Sequence, residues 1–341
     1  MEWAEGLDMS TSRDHPDRWA PQRTAVVAVF LWPLVITAAG VLCYLSFVDQ
    51  LPGQVATHWS RSGPDGFTAR ESVPWFGLLA LVMGWLTGAV ILAVAAAADG
   101  THRRLAVGFT AGLSAFMIGV MVGTAWDQRG LSHGSLARDA EWPLVVALLG
   151  SIIVGGLAAL TVPGRAADSA TAEGRVPTAA PRAALPADGH TGWTRLAVPS
   201  KGVWIALAVL SLVLAGTALL TRMWVFSLLL LVLTVAAMLA FSMFRVTVGE
   251  SGLTVRSIVG VPRWRLPLEE VVEARVTKVN PLWEFGGWGY RVGTAGRTGF
   301  VVRSGEALEV ERGNGTSWVV TVDDATEGAA LLNSLADRGR R

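Results

Sequence analysis

Six stretches of this chain run for 19 to 25 residues without a single Asp, Glu, Lys, Arg or His: 24–48, 74–98, 105–125, 143–162, 202–220 and 223–243. A hydrocarbon layer of roughly 30 Å is crossed by about 20 apolar residues rising about 1.5 Å each. Each stretch therefore reads as a transmembrane helix. Composition agrees, since 52% of the 341 residues are hydrophobic and 16% charged, against about 25% charged in a soluble domain. Trp75, Trp126, Trp142 and Trp224 fall at span ends, where amphipathic rings favour the membrane–water boundary. The first run exceeds the roughly 7–15 apolar residues of a cleaved signal core, so it reads as an uncleaved helix.

Uncharged interiors also narrow the function. Ionisable groups at depth are costly and kept only for a task, so their absence speaks against pumps, ion-coupled transporters and intramembrane proteases. The chain reads as non-enzymatic, with no cofactor. An alternative is a transporter or channel component working through uncharged polar groups, with Thr37, Tyr44, Thr87, Ser114 and Thr124 as candidates. Gly84 and Gly88 on the second span, and Gly119 and Gly123 on the third, have the spacing of close helix packing. The expectation is that these two spans meet through those faces. Pro33 predicts a kink in the first span.

Lys and Arg in the short loops set orientation. With the N-terminus inside, the cytoplasmic side holds ten: Arg13, Arg18, Arg23, Arg103, Arg104, Arg165, Arg175, Arg182, Arg195 and Lys201. The other side holds five, namely Arg61, Arg70, Arg129, Arg138 and Arg222. An N-in, C-in protein of a bacterial cytoplasmic membrane is expected. The divisions are a cytoplasmic tail (1–23), a four-helix membrane domain (24–162) with an extracellular loop (49–73), a linker (163–200), a helical hairpin (201–243) and a cytoplasmic domain (244–341). The linker is rich in Ala, Pro, Gly and Thr. Such a segment buries too little apolar surface to offset its ordering entropy, so it is expected to be flexible.

The extracellular loop contains LPGQVATHWSRSGPDGF, residues 51–67. LPGQ carries Pro and Gly at the central positions of a type II turn, and GPDG suits a type I turn. Two turns so close predict an ordered loop, with Pro52, His58, Trp59, Gly63, Asp65 and Gly66 as candidate ligand-binding residues. Zinc needs three or four convergent ligands. Near His58 stand only Asp49, Asp65 and Glu71, with His133 as the other outward histidine, so no metal site is expected. The plain expectation is a His58 hydrogen bond across its own loop and Trp59 anchored among headgroups. His58, Asp65 and Glu71 form the one cluster with catalytic residue types. A single cysteine, Cys43, excludes an internal disulfide framework.

A long apolar helix, then LP, a histidine–aromatic pair, G-P-D-G and a second apolar helix resemble an uncharacterised bacterial membrane domain. That domain also forms the N-terminal part of SdpI-type immunity and signalling proteins. The resemblance covers 24–98, with Ala56 where the family loop usually has proline. It implies a membrane domain with an outward loop and an immunity or signalling setting.

Beyond residue 243 the pattern changes to short β-branched runs: FRVTV, GLTVRSIVG, VPRWRL, VVEARVTKV, GFVVRS, ALEVER and SWVVTV. Gly, Pro and Asn-Gly turns separate them, predicting an antiparallel sheet or barrel. DDATEGAALLNSLADR closes it as a helix, with Asp323 or Asp324 as cap, Glu327 completing a capping box, and Leu332 and Leu335 facing the core. The run from GGWGYR to LLNSL resembles bacterial PH-like domains. From residue 244 on, 13 Lys and Arg face 12 Asp and Glu, so neither nucleic acid nor phosphoinositide is favoured. Arg263 and Arg265, around Trp264, are the candidates for anionic headgroups. The expectation is a six-span (4+2) polytopic α-helical protein with a C-terminal mainly-β PH-like domain ending in a helix. Its role is of sensor, immunity or scaffold type, its neighbours being membrane lipids and a protein partner at the cytoplasmic domain.

Overall fold

The computed structural model describes residues 20–94, 100–162, 171–185, 191–221, 223–293 and 296–340. The expected tail up to residue 19 and the end of the second apolar run, 95–98, lie outside them. Six long helices match the apolar runs: α1 (Ala20–Leu45), α2 (Pro74–Val94), α3 (Gly100–Trp126), α4 (Glu141–Leu160), α5 (Lys201–Thr221) and α6 (Trp224–Ser242). All six are long and apolar enough to cross a membrane. His102, Arg103 and Arg104 fall in the first turns of α3 and Glu141 opens α4, so ionisable groups sit at helix ends.

Helix α3 is the centre of the first four, packing against α1, α2 and α4. The expected glycine faces are present, but only one pair joins α2 to α3. A methyl group on Gly84 would meet the Ser114 hydroxyl at 2.4 Å and Pro33 of α1 at 3.1 Å; one on Gly88 would meet Val29 and Thr110. Gly119 and Gly123 turn instead to α4, against Ala147 and Pro143. Gly108 and Gly112 extend that face: a methyl on the first would meet the Gly155 carbonyl at 2.9 Å, and one on the second the Ser151 carbonyl at 3.1 Å. The spacing 108, 112, 119, 123 keeps four glycines on one side of a helix, so α3 and α4 approach backbone to backbone.

Helices α5 and α6 bury little, about 6% of each apolar window. At the end of the bundle where α3 finishes, the Glu141 carboxylate accepts the amides of Val225 (2.7 Å) and Phe226 (3.3 Å). This caps the first turn of α6 from another helix, satisfying donors that have no partner within α6.

A hairpin of β1 (Gln54–Ser60) and β2 (Gly63–Ala69) lies between α1 and α2. Among the described residues the C-terminal region holds nine further strands: β3 (Trp193–Ala197), β4 (Phe244–Gly249), β5 (Gly252–Ser257), β6 (Arg263–Leu266), β7 (Val271–Val279), β8 (Gly289–Val292), β9 (Arg297–Val301), β10 (Gly305–Arg312) and β11 (Ser317–Thr321). They form a four-stranded sheet, β3-β4-β5-β6, and a five-stranded one, β7-β10-β11-β9-β8. Pairing is antiparallel except between β9 and β11, a departure from the all-antiparallel expectation. A short helix α7 (Pro281–Phe285) precedes β8, and α8 (Ala325–Gly339) ends the region. Alternate residues of β4, Phe244, Val246 and Val248, point into a core shared with Leu253, Phe300, Leu308 and Leu332, as the period of two requires.

Two expectations are corrected by this architecture. The Ala/Pro-rich segment is not simply a linker: Val176 and Ala180 are buried in the sheet core, and Trp193 to Ala197 form the β3 edge of the first sheet. Arg182 binds Asp337 of α8 at 2.9 Å, and Ser334 is hydrogen-bonded to both the amide and the carbonyl of Ala183. A low average of apolar residues hid a few well-placed ones. (Residues 163–170 and 186–190 lie outside the described set.) The sheet region thus begins before α5, and the α5–α6 pair is an insertion between two hydrogen-bonded strands. The second correction concerns α8. Leu332 and Leu335 are buried as expected, but Asp324, at the cap position with φ 57°, makes no capping bond. Asp324 and Glu327 both accept from Arg195 of β3 (2.9 and 3.2 Å), while Glu306 takes the Ala325 amide at 2.7 Å. An arginine from a distant strand outcompetes the local box.

Candidate functional site

The candidate site is the β1–β2 hairpin and the helix ends beneath it. Its turn falls at Arg61–Ser62, between the paired Ser60 and Gly63, where Gly63 adopts φ 112°. The two turns expected from LPGQ and GPDG do not form. Gly53 is not among the positive-φ glycines, which a type II turn would require. Pro64 to Gly66 lie within β2, where a two-stranded ribbon lets proline's missing N–H face outward.

His58 sits at an irregularity in the register, opposite Gly66. A methyl on Gly66 would lie 2.7 Å from the His58 Cβ, so the glycine makes room for the ring. The Asp65 carboxylate meets His58 Nδ1 at 2.6 Å, and both side chains are exposed. This is the expected bond across the loop. That bond, assisted by the Ser60 hydroxyl, holds the Asp65 carboxyl below its ordinary range. Glu71 joins neither group; the Arg70 guanidinium binds it at 2.9 Å and holds its carboxyl below the usual range likewise. His133 faces Ser132. Among the described residues no three His, Cys, Asp or Glu side chains converge on a metal position. Pro52 is buried at the foot of the hairpin, and Gly63 and Gly66 are half-buried. The Trp59 indole donates to the Arg138 carbonyl at 2.9 Å, so the α3–α4 connection holds its polar end. A cleft of about 30 Å³ between Trp59, Asp139, Glu141, Thr221 and Met223 has room for water only.

The residue that organises this site belongs to no motif in the sequence. Gln128, two positions past α3 and fully buried, accepts the Ala56 amide at 2.8 Å and donates to the Ala56 carbonyl at 3.0 Å and to Thr124 at 3.1 Å. Its side-chain amide replaces the missing neighbour strand of β1. Tyr44 of α1, also fully buried, donates to the Arg70 carbonyl at 2.7 Å. A methyl on Gly134 would stand 2.5 Å from the Gln54 carbonyl oxygen, so the glycine lets the α3–α4 loop lie flush on β1. A polar residue just past the end of an apolar span is the available signal for Gln128.

At the other end of α3 the His102 ring stacks on Tyr290 of β8, centroids 4.2 Å apart, with Nδ1 2.9 Å from the phenol oxygen. Tyr290 in turn contacts Trp264 and Phe300 in the sheet core. Trp264 is therefore buried, and only Arg263 and Arg265 of that trio are exposed. Helix α3 thus touches the hairpin at one end and the sheet region at the other. In comparisons with protein-family models, curated proteins and solved structures, nothing matches this chain.

Proposed function

We propose that this is a multi-pass protein of a bacterial cytoplasmic membrane, N-in and C-in, of sensor, immunity or scaffold type. The hairpin faces outward to meet an external ligand, and the sheet region, PH-like in character, meets a protein partner inside. The observation that carries this is α3, bound to Ala56 of the hairpin through Gln128 and to Tyr290 through His102. Coupling between separated sites is carried by packed side chains, hydrogen bonds and rigid helices, and α3 offers all three between the hairpin and the sheet region. Two sheets closed by a C-terminal helix support the PH-like reading, and the loop sequence supports kinship with the SdpI type.

An antibody fragment raised to residues 54–69 provides a surrogate ligand for the whole protein in lipid nanodiscs. Hydrogen exchange is expected to change at 289–292 as well as in the hairpin; a change confined to the hairpin would sink the sensor reading. Impermeant thiol labelling of Ser60→Cys and Glu327→Cys, each in a Cys43→Ser background, in intact cells tests orientation, with only the former reacting.

A second reading, a transporter or channel component, rests on two hydroxyls. Thr37 and Ser114 are buried inside the helix bundle with no hydrogen-bond partner among the described residues, whereas Tyr44 and Thr124 are satisfied. Proteoliposome flux lost in Thr37→Val and Ser114→Ala would favour it.

A further inference from the structure

Where α6 ends, two loops of the sheet region present large apolar side chains to the surroundings. The β5–β6 loop exposes Ile258, Val259 and Val261, the last at 73%. The segment between β7 and β8 exposes Leu282, Trp288 and Trp283, the last at 88%. Isolated exposed residues need no explanation, but six in two loops do.

Each loop makes a close backbone approach to the end of α6. The Ile258 amide donates to the Met243 carbonyl at 3.0 Å, one residue beyond α6. A methyl on Gly289, next to Trp288, would meet the Phe241 carbonyl at 2.8 Å. Tyr290 follows directly and meets His102, where α3 passes from apolar to charged residues. Two separate helices therefore mark the same boundary. An arginine holds each loop by its backbone: Arg256 Nε donates to the Gly260 carbonyl at 3.0 Å, and Arg291 Nε to the Trp288 carbonyl at 2.9 Å. Both arginines are exposed. Apolar tips backed by guanidinium groups match the order of a lipid leaflet, in which acyl chains lie beneath phosphates, and tryptophan favours the boundary between them.

We propose that the β5–β6 loop and the Leu282–Trp288 segment dip into the lipid leaflet surrounding the root of the α5–α6 hairpin, with Arg256 and Arg291 at the phosphate level. The occupant is lipid because both loops adjoin the end of α6, and α5 and α6 leave their sides bare over most of their length. This rests on the membrane-spanning reading given above.

The test uses the full chain in nanodiscs with Cys43→Ser, which removes its single thiol. Spin labels are placed on Val259→Cys, Trp283→Cys, Val232→Cys in mid-α6 and Glu327→Cys on α8. Oxygen, which concentrates in lipid, is compared with a nickel chelate, which stays in water. The expected ratio at 259 and 283 is several-fold above that at 327 and below that at 232. Water-like values at 259 and 283 with a lipid-like value at 232 overturn the proposal. Exclusion of both reagents at 259 and 283 also overturns it, since a protein would then be the cover. A water-like value at 232 overturns the spanning reading instead. Quenching of native tryptophan by brominated lipid gives an independent check without labels: Trp283→Phe with Trp288→Phe is expected to remove a quenchable component, and unchanged quenching counts against lipid contact. Nanodiscs of zwitterionic lipid alone and with added phosphatidylglycerol separate insertion from headgroup charge: deeper 259 and 283 labels with the anionic lipid support the arginine placement, and equal depths overturn that part.

Discussion

Gln128 and Ala56 are 72 positions apart in the chain, yet one side-chain amide satisfies both peptide groups of the other residue. Asn333 of α8 does the same to Ala274 of β7, accepting its amide and donating to its carbonyl at 2.8 Å each, with a further bond to Pro181. Both amide side chains are fully buried. Each closes the hydrogen bonds of an edge-strand residue on the side where no strand pairs with it.

Replacing Gln128 with Ala leaves a buried N–H and a buried C=O of Ala56 unpaired. Each such group costs about 1–3 kcal/mol, so Gln128→Ala is expected to lower stability by roughly 2 kcal/mol or more and to expose the Ala56 amide to exchange. Denaturation in detergent and hydrogen exchange measure both. Gln128→Glu keeps the shape but removes the donor, and it is expected to be at least as damaging at neutral pH.

Much of the architecture was legible because burial in a helix or strand leaves a periodic trace. The six apolar runs fall on α1–α6, and FRVTV and SWVVTV alternate or run apolar as β4 and β11. The pairing of Gly119 and Gly123 with α4 was not legible, since spacing shows which side of a helix is small and not which neighbour uses it. Nor was β3: WTRLA stands in a segment whose average composition suggests no order, and it becomes a strand by pairing with β4 across the whole α5–α6 insertion. At the site, the His58–Asp65 pair could be anticipated locally, while Gln128 acts over a distance that no short motif encodes.

Gly66→Ala places a methyl 2.7 Å from the His58 Cβ, an atom held by its own backbone. The expected loss is about 1–3 kcal/mol of hairpin stability, read as faster amide exchange across 54–69. Gly53→Ala meets nothing within 4 Å and is expected to leave exchange unchanged.

The Asp65 carboxyl titrates below its ordinary range because of the His58 hydrogen bond. A carboxyl pKa depressed in the folded state contributes stability above the unfolded value, and that contribution disappears as pH falls through the folded one. The hairpin is therefore expected to hold its order at neutral pH and to loosen only on the acid side of the normal aspartate range. Carbon-13 NMR of Asp65 would follow this, and His58→Ala is expected to move its midpoint back up. A midpoint unmoved by His58→Ala would show that the ring does not set it.

Along the α3–α4 seam, a methyl on Gly155 would stand 2.6 Å from the Gly108 carbonyl, a backbone atom that cannot turn aside. Gly155→Ala is expected to separate the helices at a cost of about 1–3 kcal/mol. Gly156→Ala, one position on and open for 4 Å, is expected to be neutral. Thermal unfolding of the two variants side by side reads the difference.

Because α5 and α6 interrupt the first sheet between β3 and β4, the order of synthesis matters to this protein. Strand β3 leaves the ribosome first and has no edge to join until two complete helices have followed it and β4 emerges behind them. Closure of the sheet therefore certifies that the helical pair has already been built, and a truncated or misinserted pair leaves Trp193 stranded in water.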